Sequence, residues 1–199
     1  MLCEEKMIMG IFDKLFGRSG DSDQPSDKKT FDFNKLIESS NINNSIIEFD
    51  NYIGDLCAYG EDMSKINYAQ TTFYLNQCCE REVNNGGFSQ FYYNSSGDFA
   101  HETVESLKKI GAVKTAEIVL KANNLFPNGE VPKNRNQRQR ILEKIEDNVS
   151  DEWEKLNDKF MMYEEDLNHL NMTYIKKNKD KFDPNAYHRL SERTRFPRR

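Results

Sequence analysis

Histidine and cysteine are the side chains of this sequence that could most readily bind a metal ion, and there are only three histidines and four cysteines. His101 and Glu105 are four residues apart, so on a helix both side chains could reach one ion. A zinc site needs a third protein ligand, however, and the residues around His101 do not follow the HExxH pattern. The alternative is a surface histidine near a helix start, and we predict no metal site and no cofactor.

The cysteines give no catalytic pattern either. Cys78 and Cys79 are adjacent, so on a helix they point in different directions, and we expect one of them to face the core as a small apolar residue. No pair has CxxC spacing and no export signal precedes them, which predicts reduced thiols in the cytoplasm. The sequence also lacks GxSxG, a P-loop and a Rossmann fingerprint, so we predict no catalytic residue.

The stretch EVNNGGFSQFYYNSSGD, residues 82–98, combines a glycine pair with four aromatic rings. Glycine loops can bind phosphate and rings can stack on bases, but both uses require nearby positive charge. No lysine or arginine lies between Glu82 and Lys108. We therefore predict that Phe88, Phe91, Tyr92 and Tyr93 pack in the core. In an alternative hypothesis, a small polar cleft lined by Asn84, Gln90, Asn94 and His101 binds a small molecule or performs catalysis.

Acidic residues dominate the segment 141–170, where ten carboxylates face three lysines. Five of them fall within about 60° of one another on a helical wheel, opposite an apolar seam, with neighbours about 5–6 Å apart. These are Asp147, Asp151, Glu154, Asp158 and Glu165. A row of this kind is either a solvated helix face or a surface for a basic partner, since it carries charge at roughly the density of a phosphate backbone.

Apolar spacing of three and four residues predicts the elements that position these side chains. It predicts helices at about 64–83, 88–94, 99–110 and 113–123, and one long seam from Leu142 to Tyr174 with a joint near Asn148 capped by Ser150. The pair Gly86-Gly87 is expected to end a helix, Asp98 to cap the next, and Leu120 to face inward. No segment alternates as a strand would. The predicted fold is all-α: a compact bundle of about six to eight helices with a long C-terminal helix.

Composition divides the chain into three parts. Residues 1–30 are predicted to be a flexible tail with a short amphipathic segment, MGIFDKLFG, and residues 31–175 an all-α domain. Residues 176–199 carry nine basic residues against three acids and are predicted to be a basic C-terminal tail, although the formal net charge of the chain is −5. No apolar run approaches the roughly 18 residues that span a bilayer.

The motif REVNNGGFSQFYYNSSGDFAHETVESLKKIGA, residues 81–112, resembles the signature of a bacterial DNA-mimic protein family, whose shared C-terminal region was catalogued as a domain of unknown function. The following LFPNGEVPKNRNQRQRILEKI is similar to that family's next loop and arginine-containing helix. The resemblance covers about residues 68–170. Its core members here are Asn85, Gly86, Gly87, Phe88, Gln90, Phe91, Asn94 and Gly97, flanked by Glu82, Val83, Tyr92, Leu107, Ile110, Gly111 and Ala112.

The resemblance implies an all-α domain with no known catalytic chemistry, and an acidic surface that imitates duplex DNA and sequesters a DNA-binding transcription factor. The leading hypothesis is therefore a non-enzymatic cytoplasmic protein, monomeric or homodimeric, that binds a protein partner through its acidic helical face. Besides the polar cleft, a further hypothesis is weak nucleic-acid contact through the basic tail.

Overall fold

The computed structural model describes residues 31–186, and these form a helical bundle without strands. The eight α-helices are α1 Phe33–Glu38, α2 Ile42–Leu56, α3 Tyr68–Tyr93, α4 Ala100–Ile110, α5 Val113–Asn123, α6 Arg135–Met161, α7 Leu167–Lys177 and α8 Lys179–Phe182. Short 3₁₀ turns occupy Ala58–Gly60, Met63–Lys65, Ser95–Phe99 and Pro127–Gly129. The predicted all-α bundle is confirmed, although the longest helix, α6, is followed by two shorter ones.

Helix α3 is the central element, and it is longer than the predicted helix 64–83. It begins at Tyr68 because Asn67 and Gln70 form a capping box: the side-chain oxygen of each residue accepts a hydrogen bond from the backbone N–H of the other. The helical backbone is interrupted at Gly86 and Gly87 and resumes from Phe88 to Tyr93, so the predicted stop and the predicted short helix 88–94 are confirmed as the kink and the second part of α3. Gly87 has φ +69°, a left-handed conformation that glycine adopts readily, and this produces the kink.

The connection from α3 to α4 differs from the prediction in its cap. A 3₁₀ turn, Ser95–Phe99, precedes α4, and Asp98 lies inside it instead of capping the helix.

The predicted ends of the next helices are confirmed: Gly111 closes α4 at φ +92°, and α5 spans Val113–Asn123. Leu120, however, is 39% exposed, so its predicted inward orientation is wrong.

Helix α6 is one continuous helix of 27 residues, and the predicted joint near Asn148 does not exist. Ser150 does not cap a helix, because it lies in the interior of α6, where its side chain is exposed. The apolar seam breaks instead at Tyr163, which has φ +47° and directs the chain towards α7. Leu142, Trp153, Leu156 and Phe160 of the seam are buried, as predicted.

The core consists of two clusters of buried side chains, and α3 contributes to both of them. One cluster packs around Phe88, Tyr92 and Trp153 and contains residues of α3 from Cys79 onward, of α4 to α6, and Leu167 of α7. The other packs around Phe49 and Phe73 with residues of α1, α2, α7 and α8. Helix α3 passes from one cluster to the other at two adjacent residues, since Cys78 packs in the second cluster and Cys79 in the first.

The predicted boundary between domain and basic tail at residue 175 falls inside α7. Residues 176–186 are part of the bundle, since Phe182 is buried against Phe49 and Phe73 at ring-centroid distances of 6.2 and 6.1 Å. The predicted N-terminal tail with its amphipathic segment, and residues 187–199, lie outside the described residues. None of the described helices is both long enough and apolar enough to cross a bilayer.

Candidate partner-binding face

Four of the five predicted acidic residues lie in one row on the exposed side of α6. Asp147, Asp151, Glu154 and Asp158 are all exposed, while Trp153, Leu156 and Phe160 bury the opposite side. Successive members are three or four residues apart, so their side chains are neighbours on the helix surface. We call these four residues the acidic row.

The acidic row has little internal neutralisation. Among residues 31–186, no lysine, arginine or histidine nitrogen lies within 4.0 Å of the carboxylates of Asp147, Asp151 or Asp158. Glu154 accepts a hydrogen bond from the Asn157 amide at 3.3 Å. Lys155 and Lys159 each adjoin a member of the row in sequence. Lys155 is held at 2.6 Å by Glu152, and this hydrogen bond, together with the charges of Glu152 and Asp151, raises the pKa of Lys155. The row therefore keeps its charge available to a partner.

Glu165 is not part of the acidic row, because α6 ends at Met161 and the helical-wheel position does not apply beyond it. Its carboxylate lies at the start of α5, where it accepts the backbone N–H groups of Lys114 at 3.1 Å and Thr115 at 2.8 Å and the Thr115 hydroxyl at 2.8 Å. Burial raises the pKa of Glu165, but these hydrogen bonds outweigh burial and leave the pKa below its usual value. Glu165 thus caps α5, whose own N-cap residue, Ala112, has no side chain able to do so.

The glycines of the signature make room for polar side chains that fasten the α3 kink. The Asn157 side chain of α6 accepts the Phe88 N–H at 2.9 Å, and a Cβ on Gly87 would come within 2.9 Å of Asn157 Cγ. A Cβ on Gly86 would similarly collide with Gln90, whose carbonyl accepts from Asn85 at 3.1 Å. The kink is therefore locked to α6, the helix that carries the acidic row.

The Glu82 carboxylate accepts hydrogen bonds from three polar residues that follow the kink. Its Oε2 accepts from the amides of Gln90 at 2.7 Å and Asn94 at 2.8 Å, and its Oε1 accepts from the Ser96 hydroxyl at 3.3 Å. These contacts tie the α3 end to the 3₁₀ turn that follows. Gln90 and Asn94 are structural in this arrangement, because both amides bind the Glu82 carboxylate.

Arg138 is the residue that sequence reasoning missed. Its side chain is fully buried. Its guanidinium donates to the carbonyls of Tyr92, Asn94 and Pro132 at 2.6–2.8 Å and pairs with Asp98 at 2.6 Å. A Cβ on Gly97 would lie 2.6 Å from Arg138 Nε, which explains that signature glycine. The sequence signal was the spacing: Arg138 is four residues before Leu142, where the apolar seam begins, and therefore faces the same side of the helix as the seam.

The aromatic signature residues form the core around which these contacts are arranged. Phe88, Phe91 and Tyr92 are completely buried, which confirms the core prediction for them, whereas Tyr93 is 57% exposed. The Tyr92 hydroxyl donates to Asn123 Oδ1 at 2.7 Å, so even its polar atom is satisfied inside the protein. No base could stack on the three buried rings without unfolding the bundle.

The family described as DMP19-like protein matches residues 64–178, which is more than half of the chain. The chain belongs to the DMP19-like family. A search of curated proteins found no match. A search of solved structures also found none.

The family match covers the kink, the Glu82 and Arg138 clusters and the whole acidic row of this DMP19-like protein. It therefore confirms the DNA-mimic family resemblance that the signature carried. The match begins before α3 and ends at the C-terminus of α7, so α1 and α2 lie outside it.

The predicted polar cleft is not formed in this DMP19-like protein. Asn84 donates to the Tyr163 hydroxyl, Gln90 and Asn94 bind Glu82, and His101 Nε2 accepts the Val131 N–H at 3.3 Å. The four side chains thus contact three different residues, Tyr163, Glu82 and Val131, and do not line one common cleft. His101 is a loop anchor, and residues 31–186 contain no group of three or more metal-ligating side chains placed to share an ion.

Cys78 and Cys79 are both buried, so the expectation that only one faces the core is corrected. Burial raises the pKa of the Cys78 thiol to about 11, although Arg81 opposes this, and burial also raises the pKa of Cys79. Both thiols are therefore protonated at neutral pH, and a protonated thiol is a poor nucleophile. They act as packing residues along α3.

Proposed function

We propose that this DMP19-like protein is a non-enzymatic interaction protein whose acidic row replaces DNA on the surface of a DNA-binding protein, such as a transcription factor. The observation that carries the proposal is the row itself: three carboxylates, Asp147, Asp151 and Asp158, are exposed and have no cation within 4.0 Å among the described residues. Glu154 completes the row. Glu165 is left out, because its carboxylate is committed to α5.

The charge density of the row suits a surface that normally binds DNA. Asp147 and Asp158 are separated by about 16 Å along the helix axis at roughly 1.5 Å per residue. Four carboxylates over that length are about 5.5 Å apart on average, and one DNA strand carries a charge per roughly 3.4 Å of helix axis, so the two spacings agree within a factor of two. A basic groove that follows one strand could therefore pair with successive members of the row.

The row is also held rigidly, which reduces the entropy lost on binding. Helix α6 is fixed at one end by buried Arg138 and in its second half by Asn157 on the α3 kink. Its inner side is packed by Trp153, whose indole N–H donates to the Ala122 carbonyl at 3.3 Å. A rigid row of charges keeps its spacing in the free protein, as a DNA backbone does.

The cellular setting proposed for this interaction is the cytoplasm. Cys57, Cys78 and Cys79 are free thiols in the structure, which suits a reducing compartment. We propose a monomer or homodimer as the binding species. The hypothesis of nucleic-acid contact through the C-terminal tail stays a prediction, since residues 187–199 lie outside the described part of the chain.

Charge reversal tests the proposal. The variant Asp151→Lys, Glu154→Lys, Asp158→Lys should lose basic protein partners that wild-type protein captures from a lysate of the native host. The matched control is Glu61→Lys, Glu117→Lys, Glu130→Lys, which changes net charge equally at exposed acids outside α6. If the α6 variant retains its partners as well as the control does, the acidic row is not the binding surface.

A further inference from the structure

The acidic row ends in an apolar group that solvent can reach. Met161 is 46% exposed and Met162 is 67% exposed, and they lie three and four residues after Asp158. Met162 keeps helical backbone angles, φ −66° and ψ −17°, so both methionines continue the row on the surface of α6. A face made only to imitate DNA has no need of an apolar end, because phosphates are recognised by charge and hydrogen bonds.

The position of the two methionines is fixed by the residue that follows them. Tyr163 turns the chain away in a left-handed conformation, and its hydroxyl donates to Glu80 at 2.9 Å and accepts from Asn84. Its ring also contacts the buried Phe160 ring edge-to-face, with centroids 6.3 Å apart. The methionines therefore stand at a rigid corner of the protein, while their own unbranched side chains remain adaptable.

We propose that Met161 and Met162 are an apolar anchor for the partner, which therefore presents an apolar helix side chain next to its basic surface. The inference rests on the proposed function of the acidic row and adds the class of partner segment: an amphipathic basic helix of a protein, not a polycation. Charge complementarity selects the basic side of that helix, because no cation of the described residues lies within 4.0 Å of the Asp151 or Asp158 carboxylate. Methionine is enriched at such contact surfaces because it can adapt to different apolar partners.

Two synthetic peptides of equal length and lysine content test this inference with defined chemistry. One places leucines along one helical face, and the other has serines at the same positions. Fluorescence anisotropy at about 150 mM salt should show the leucine peptide binding wild-type protein about tenfold or more tighter, as expected when one apolar side chain is buried. Met161→Gln, Met162→Gln should remove that difference and leave the serine peptide unaffected.

Matched variants separate the possible outcomes. Ile47→Gln alters a residue that is 57% exposed on α2 and should change nothing. Asp147→Asn, Asp151→Asn, Asp158→Asn should weaken both peptides. The anchor is refuted if the leucine peptide has no advantage or if its advantage survives the methionine substitutions. If neither peptide binds wild-type protein, the acidic row itself fails, and the anchor fails with it.

Discussion

At the scale of single residues, Arg138 shows how this fold tolerates a buried charge. Its side chain has no solvent exposure, but its guanidinium meets three carbonyls at 2.6–2.8 Å, a fourth at 3.2 Å, and the Asp98 carboxylate. Five donors in a fixed planar fork suit this set of acceptors, and a lysine could not reach them together. The arginine thereby joins the start of α6 to the loop after α3.

Replacing Arg138 should consequently destabilise the protein strongly. Arg138→Met leaves the carbonyls and Asp98 without a donor, and breaking such a buried pair costs about 3–5 kcal/mol. The free energy of unfolding from denaturant titration checks this. Arg140→Met, an exposed arginine on the same helix, should change stability by about 0.5 kcal/mol or less. Equal effects of the two substitutions would show that the buried cluster contributes nothing.

At the scale of the helices, contacts between the end of one helix and a distant part of the chain hold the bundle together. Helix α5 has no cap of its own and receives one from Glu165, more than forty residues later in the chain. The N-terminus of a helix attracts negative charge, so a carboxylate in this place satisfies two N–H groups and the helix dipole together. The contact also fixes the turn between α6 and α7 against α5.

Glu165→Gln should lower stability at neutral pH by about 1 kcal/mol, the usual size of a cap contribution. Because the pKa of Glu165 is lowered in the folded protein, its contribution is present above the unfolded pKa and is lost as pH falls through the folded pKa. The stability difference between wild type and Glu165→Gln should therefore vanish in acid. Glu164→Gln is the control, since Glu164 makes only an exposed ion pair with Lys114. A difference that persists unchanged at low pH would argue against this role.

Local sequence patterns predicted the helices well and their joints poorly. Periodicity gave α5 and the buried seam of α6, because one face of each helix must be apolar. It predicted the break at Gly87 and the short helix after it, but it could not show that Asn157 of another helix holds this kink in place. The same holds for Asp98, which pairs with distant Arg138 instead of capping α4. Of the candidate site, the acidic row on α6 was predictable from spacing. That Glu165 lies outside the row was not predictable, because this depends on where the chain turns at Tyr163.

At the scale of the whole molecule, charge is separated between elements of the bundle. The outer side of α6 carries the acidic row, and exposed lysines follow on α7 and α8 at Lys176, Lys177, Lys179 and Lys181. The net charge of −5 hides this separation. Long-range attraction of a basic partner should therefore depend on the orientation of the protein and weaken as salt screens it.

Release by DNA is the measurement that tests the DNA-mimic proposal most directly. Proteins captured from a native-host lysate on the immobilised DMP19-like protein should be eluted by duplex DNA, because both ligands would occupy the same basic surface. The Glu61→Lys, Glu117→Lys, Glu130→Lys control should behave like wild type, and Asp151→Lys, Glu154→Lys, Asp158→Lys should capture nothing for DNA to release. Partners that stay bound in excess duplex DNA at low salt would contradict the proposal.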